Sequence, residues 1–157
     1  MSDQATLLAL LDEVKSLGRR YFVETGRPLG VTGEVAELEA IRLMDLTLAP
    51  VRQSGWDATG KSSTGGTERL QIKGRCISGK LKPGARMGRI DTTKEWDAAL
   101  LVLMSELFVP SVIYRAERIA ILAAREAPGS RARNERGQLA ISKFKAIGKQ
   151  VWPTNGA

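Results

Sequence analysis

Histidine is absent from the 157 residues, and cysteine occurs once, at Cys76. Without imidazole there is no histidine-based nucleophile triad, no zinc-histidine centre and no histidine general base. A lone thiol cannot form an internal disulfide. Also missing are an apolar run long enough to cross a bilayer and a basic-then-apolar leader, so the chain is expected to be soluble and cytoplasmic. Any hydrolytic chemistry is then expected from carboxylates, lysine and a metal ion. No internal repeat and no clear linker interrupt the sequence. With 43% hydrophobic residues, 1–157 reads as one domain with a sizeable core, in which 1–29 is an N-terminal packing helix and turn.

Acidic residues are outnumbered, 17 against 24 basic, for a net charge of +7. The distribution says more than the total. Residues 1–60 hold 6 basic and 9 acidic groups, 61–94 hold 9 and 2, 95–113 hold 0 and 3, and 114–157 hold 9 and 3. The positive charge therefore follows the middle of the chain and returns at its C-terminus, the pattern a polyanion-binding face requires.

Leu7, Leu8, Leu11, Val14, Leu17, Tyr21 and Phe22 recur mostly at three- and four-residue spacing and predict a helix over about Gln4 to Glu24. Lys15 and Arg19 are expected on its polar side. Thr32 is a plausible N-cap for a second helix ending near Leu48, before Pro50. Glu34 and Glu37, three apart, share a face of that helix. Acidic groups in a first turn favour the helix dipole, which explains either one without a ligand. Either is also a candidate third acidic group beside Asp57.

The stretch Gly55 to Arg75 reads as a β-hairpin. Trp56 to Thr59 forms the first strand, Gly60 to Thr67 the flexible turn, and Arg69 to Arg75 the second strand. Alternation places Leu70 and Ile72 on a buried face and Gln71 and Lys73 on a polar face open to a ligand. Pairing would bring Asp57 beside Gln71 and Lys73. A carboxylate, an amide oxygen and an ammonium so arranged can hold a hard divalent cation and steady a water or a phosphate.

Gly55 to Ser62 also satisfies the phosphate-loop pattern GxxxxGK[ST] through Gly60, Lys61 and Ser62. Such a loop should open directly into a helix whose N-terminus faces the anion. Two glycines and an alternating strand follow instead, and Asp57 would put a carboxylate inside the anion nest. The hairpin reading is preferred.

Ser78 to Lys94 is basic, contains Pro83, and reads as a long connection outside the core. Its Lys80, Lys82, Arg86 and Arg89 suit phosphate contacts, as do Lys61 and Arg75 nearby and Lys143 and Lys145 towards the C-terminus. Trp96 to Met104 is a strand buried on both faces. Val109 to Arg115 is a further strand after a turn near Glu106 to Phe108, and Glu117 to Ala127 a helix stopped by Pro128-Gly129. Ser130 to Arg136 is expected to be a mobile basic connection. The last helix, about Gln138 to Lys149, packs through Leu139, Ile141, Phe144 and Ile147.

An acidic helix, an Asp-bearing strand, a strand with Gln71-Ile72-Lys73 and a buried strand, in that order, resemble the PD-(D/E)xK nuclease superfamily over roughly Gly30 to Met104. The resemblance implies an α/β restriction-endonuclease-like fold, a mixed central sheet flanked by helices, and magnesium-dependent phosphodiester hydrolysis, with manganese as a substitute. By it, Asp57 is the principal metal ligand, Gln71 takes the place of the usual second carboxylate, and Lys73 orients or activates the attacking water. Glu34 or Glu37 and the Ile72 carbonyl complete the shell. Duplex DNA is the expected substrate, and a homodimer would suit cleavage of two strands. Two positions depart from the family pattern: Gln71 is neutral, and Trp56 stands where proline is usual. The competing reading is a non-catalytic module of the same fold that binds nucleic acid or a protein partner.

Overall fold

The computed structural model describes residues 3–127 and 138–154. Helix α1 (Gln4–Thr25) starts where the Asp3 side chain accepts the Thr6 N–H at 2.8 Å, and stops at Gly26, whose φ of 67° closes the last turn. Helix α2 (Thr32–Met44) has Val31, without a side-chain cap, before its first turn, so Thr32 is its first residue rather than its cap. It ends earlier than the expected Leu48. Asp45 turns left-handed at φ 52°, and Thr47–Leu48 become a short strand, β1.

Five more strands follow: β2 (Ala58–Lys61), β3 (Thr67–Cys76), β4 (Ala98–Met104), β5 (Pro110–Glu117) and β6 (Lys149–Trp152). With helices α3 (Arg118–Glu126) and α4 (Ile141–Ile147) they make a mixed α/β fold, a six-stranded sheet in the order β1-β2-β3-β4-β5-β6 flanked by helices. Neighbouring strands are antiparallel except β3 and β4, which run parallel with Leu70 opposite Ala98. The expected β2 began at Trp56. Asp57 lies instead one residue before the strand. The expected last helix is shorter than Gln138 to Lys149, because Lys149 enters edge strand β6. Pro128, Gly129 and the connection 130–136 lie outside the described residues.

Each face of the sheet has its own core. Leu70, Ile72, Leu100 and Val102 face α1 and α2, whereas Ala99, Leu101 and Leu103 face α3 and α4. Central strand β4 is accordingly buried at every position, as its unbroken apolar run predicts. Helix α2 approaches β3 closely at Gly74, where an added Cβ would lie 2.3 Å from the Ala36 Cβ. A parallel pair needs a long crossover, and the stretch 78–94 provides it without helix or strand. It is more than a connection, since Met87 and Ile90 from it are fully buried in the second core. That core also covers the face expected to stand open, and Gln71 is only 5% exposed.

Lys15 is another correction. It sits on the inner side of α1, buried, with its Nζ paired to the fully buried Glu39 of α2, whose other oxygen accepts the Arg42 Nε at 3.1 Å. Arg19 remains outside and donates to the Leu107 carbonyl at 3.1 Å. Among the described residues no helix is long and apolar enough to cross a membrane.

Candidate active site

Asp57 stands where β2 ceases to pair with β3. Its N–H donates to the Leu70 carbonyl at 2.8 Å, extending the ladder by one bond. Its carboxylate Oδ2 then accepts the Ile72 N–H at 2.7 Å. The side chain thus takes over a pairing position that the backbone of β2 has left, and its carboxylate is fixed on the β3 main chain between Gln71 and Lys73.

Gln71 projects to the opposite side of β3 from Leu70 and Ile72. Its Nε2 donates to the Gly55 carbonyl at 2.9 Å, which orients the amide and leaves Oε1 buried with no hydrogen-bond partner among the described residues. Gly55 is a site residue that the motif reading passed over. Its φ of 106° lies in the region favouring glycine, and an added Cβ would meet the Glu95 carbonyl at 3.0 Å. The glycine before Trp56-Asp57 was the available signal. Trp56 lies with its ring 5.5 Å from the Arg69 guanidinium, and its buried indole N–H also lacks a partner among the described residues.

The two helix glutamates separate in the structure. Glu34 is exposed, while Glu37 is half-buried and feels Asp57 and Lys73. Burial raises the Glu37 carboxyl most, the charges of Asp57 and Glu34 raise it further, and Lys73 opposes them, leaving it pushed up to about 7. Glu37 is therefore the helix acid that shares an electrostatic environment with Asp57 and Lys73. Lys73 is half-buried, and its Cδ lies 3.6 Å from where a Cβ on Gly88 would be, so the crossover passes over its stem at Gly88.

The basic residues do not form one patch. Arg75, Lys80 and Lys82 gather around a pocket just beyond the end of β3. Arg86 is half-buried and bridges Ala140 through its backbone, whereas Arg89 is exposed near Asp91, whose carboxyl is lowered mainly by hydrogen bonds from Thr93 and to a lesser extent by the Arg89 charge. Lys143 is exposed on α4, and Lys145 places its Nζ 5.3 Å from the Tyr114 ring on β5, two strands away from Lys73. Lys61 ends β2, four residues from Asp57 and so about 13 Å along the chain. It lines a separate polar cleft of about 770 Å³ with Glu68 and Arg115, a pair joined through two bonds of 2.6 and 2.7 Å.

Gly60 and Lys61 lie inside an antiparallel strand, and Ser62 to Gly66 is a turn closed by the Ser62 N–H on the Gly66 carbonyl at 2.7 Å. Strand β3 follows where a phosphate loop would open into a helix, so the phosphate-loop reading fails. Among the described residues no three His, Cys, Asp or Glu side chains are grouped as a metal cage. The Gln71 amide oxygen, buried and without a partner among the described residues, is an oxygen donor of the kind a hard cation takes. No family model matches this chain, and no curated protein matches it.

Proposed function

We propose that the chain is a cytoplasmic, metal-dependent nuclease of the restriction-endonuclease-like kind, hydrolysing phosphodiester bonds with duplex DNA as its first substrate. The observation that carries this reading is the Asp57 carboxylate fixed on the Ile72 N–H, on the strand between Lys73 and Gln71, whose amide oxygen has no partner among the described residues. The order of elements supports it: α2 bearing Glu37, the Asp57 corner, β3, and a parallel β4 beyond.

Asp57, Gln71 Oε1 and Glu37 would hold magnesium or manganese, with the Ile72 carbonyl as a further oxygen. Glu34 lies outside that shell. Such a cation supplies charge neutralisation at the phosphate and a lowered pKa for the attacking water. The Lys73 ammonium hydrogen-bonds the phosphate oxygens as negative charge builds during attack. Water adds to phosphorus, the bond to the leaving sugar oxygen breaks, and that oxygen takes up a proton. Ionised Glu37 strengthens the cation site, whereas protonated Glu37 weakens it. Two copies of the site, as in a homodimer, would serve the two strands of a duplex.

The test is cleavage of supercoiled plasmid, linear duplex and branched DNA with magnesium or manganese by wild type, Asp57→Asn and Lys73→Ala. The expected result is metal-dependent cutting lost in both variants. DNA binding should weaken steeply as salt rises. The neutral Gln71 favours one second reading, a non-catalytic module that binds nucleic acid or a protein partner. Salt-sensitive binding without cutting by the wild type would select it.

A further inference from the structure

Beyond the last residue of β3, Arg75, Lys80 and Lys82 rim a pocket of about 200 Å³ whose apolar wall includes Ile77, Leu81 and Ile141. The Glu106 carboxylate lines it too, and neither that group nor the three cations has an ion pair among the described residues. The walls are tied together. The Ile141 N–H donates to the Ala85 carbonyl at 2.8 Å, joining α4 to the crossover, and the Ile77 N–H donates to the Met104 carbonyl at 2.8 Å. The pocket also lies outside the carboxyl ends of the parallel pair β3 and β4, the usual ligand position in α/β sheets.

We propose that this pocket receives one unpaired nucleobase next to the phosphate held at Asp57 and Lys73. The proposal rests on the nucleic-acid reading above and adds a substrate class, DNA with an unpaired or extruded nucleotide. Three arguments carry it. The composition is that of a base pocket, apolar surfaces for the faces of a heterocycle and cations for the flanking phosphates. The location suits a nucleotide neighbour, because Lys73 and Arg75 share one face of β3 about 7 Å apart. Glu106 supplies an acceptor for a base N–H, the exocyclic amino group of cytosine, adenine or guanine or the ring N–H of thymine or guanine.

The experiment measures, by fluorescence anisotropy in EDTA, the affinity of the full chain for three duplexes: fully paired, with a single-nucleotide bulge, and with an abasic bulge. Wild type should prefer the base-bearing bulge to both others by about tenfold, the scale of one base stacked on a protein. Leu81→Trp, which fills the pocket, should abolish that preference while leaving affinity for the paired duplex unchanged. Glu106→Gln leaves the walls intact and should weaken binding of the base-bearing bulge relative to the abasic one. Equal binding of abasic and base-bearing bulges, or an undiminished preference in Leu81→Trp, overturns the pocket and leaves the nuclease reading standing. Failure to bind any duplex at low salt overturns the nucleic-acid reading and this proposal with it.

Discussion

Asp57 and Ile72 are joined side chain to backbone, the carboxylate Oδ2 accepting the N–H of β3 at 2.7 Å. One group thus closes the hairpin and presents a charge at the candidate site, and the two roles are separable. Asp57→Ala leaves the Ile72 N–H without its acceptor and should destabilise the protein by about 1–3 kcal/mol. Asp57→Asn keeps an oxygen for that N–H and should lose less than about 1 kcal/mol while still abolishing metal-dependent cutting. Urea titration beside plasmid cleavage separates the two. Equal destabilisation by both variants would mean that charge, and not hydrogen bonding, holds the corner.

Glu37 links pH to both stability and cation binding. Its carboxyl is raised from 4.5 to about 7 in the folded protein, so between those values the native state holds a proton that the unfolded chain has released. Stability from this group is present at low pH and is lost as pH rises through 7. Cation affinity should move the other way and grow over the same interval as the carboxylate forms. Glu37→Gln removes both trends. Thermal melts and magnesium titrations from pH 5 to 8, comparing the variant with wild type, read the two slopes. A wild type whose melting temperature follows that of Glu37→Gln across the range would contradict the assignment.

Much of this arrangement was legible in the sequence, and the physics of each element explains why. The alternation of Leu70 and Ile72 with Gln71 and Lys73 placed the site residues on one strand, and the apolar run of β4 marked the sheet centre. The choice between Glu34 and Glu37 was not readable, because it depends on how α2 docks on β3, and that docking is set where Gly74 admits Ala36. The covered face was missed because Met87 and Ile90 sit in a stretch without periodicity. Lys15 looked like a surface residue because local pattern shows a polar side chain but not the Glu39 that meets it from another helix. Edge strands β1 and β6 are too short, and too dependent on their neighbours, to signal themselves.

The Lys15 and Glu39 pair makes a stability prediction independent of any activity. Lys15→Met removes one cation from a fully buried carboxylate and leaves only the Arg42 contact. Breaking such a pair from one side costs about 3–5 kcal/mol, and the surviving Arg42 bonds place this case near the lower end. Lys15→Met with Glu39→Leu replaces both charges by apolar groups and should recover most of that loss. Chemical denaturation of the single and double variants measures the coupling. A double variant as unstable as the sum of its parts would show that packing, not the buried charge, dominates.

Gln71 is one of the two positions at which this chain departs from the motif it resembles, and its hydrogen bond says what a carboxylate there would do. The Gln71 Nε2 donates to the Gly55 carbonyl, so Gln71→Glu sets a carboxylate oxygen against a carbonyl oxygen in a site only 5% exposed. In EDTA the variant should be destabilised by about 1–3 kcal/mol or somewhat more, since the lost partner faces a charge. In a protein of this size each kcal/mol lowers the melting temperature by about 2–4 °C. Magnesium or manganese should reverse the loss and bind more tightly than to wild type, because a cation beside Asp57 neutralises the added charge. Thermal melts with and without the metals test this directly. Tighter metal binding accompanied by faster cutting would mean that the glutamine tempers a working nuclease, whereas tighter binding with no cutting would favour the non-catalytic module. A melting temperature that metal leaves unmoved in Gln71→Glu would remove Gln71 from the cation site altogether.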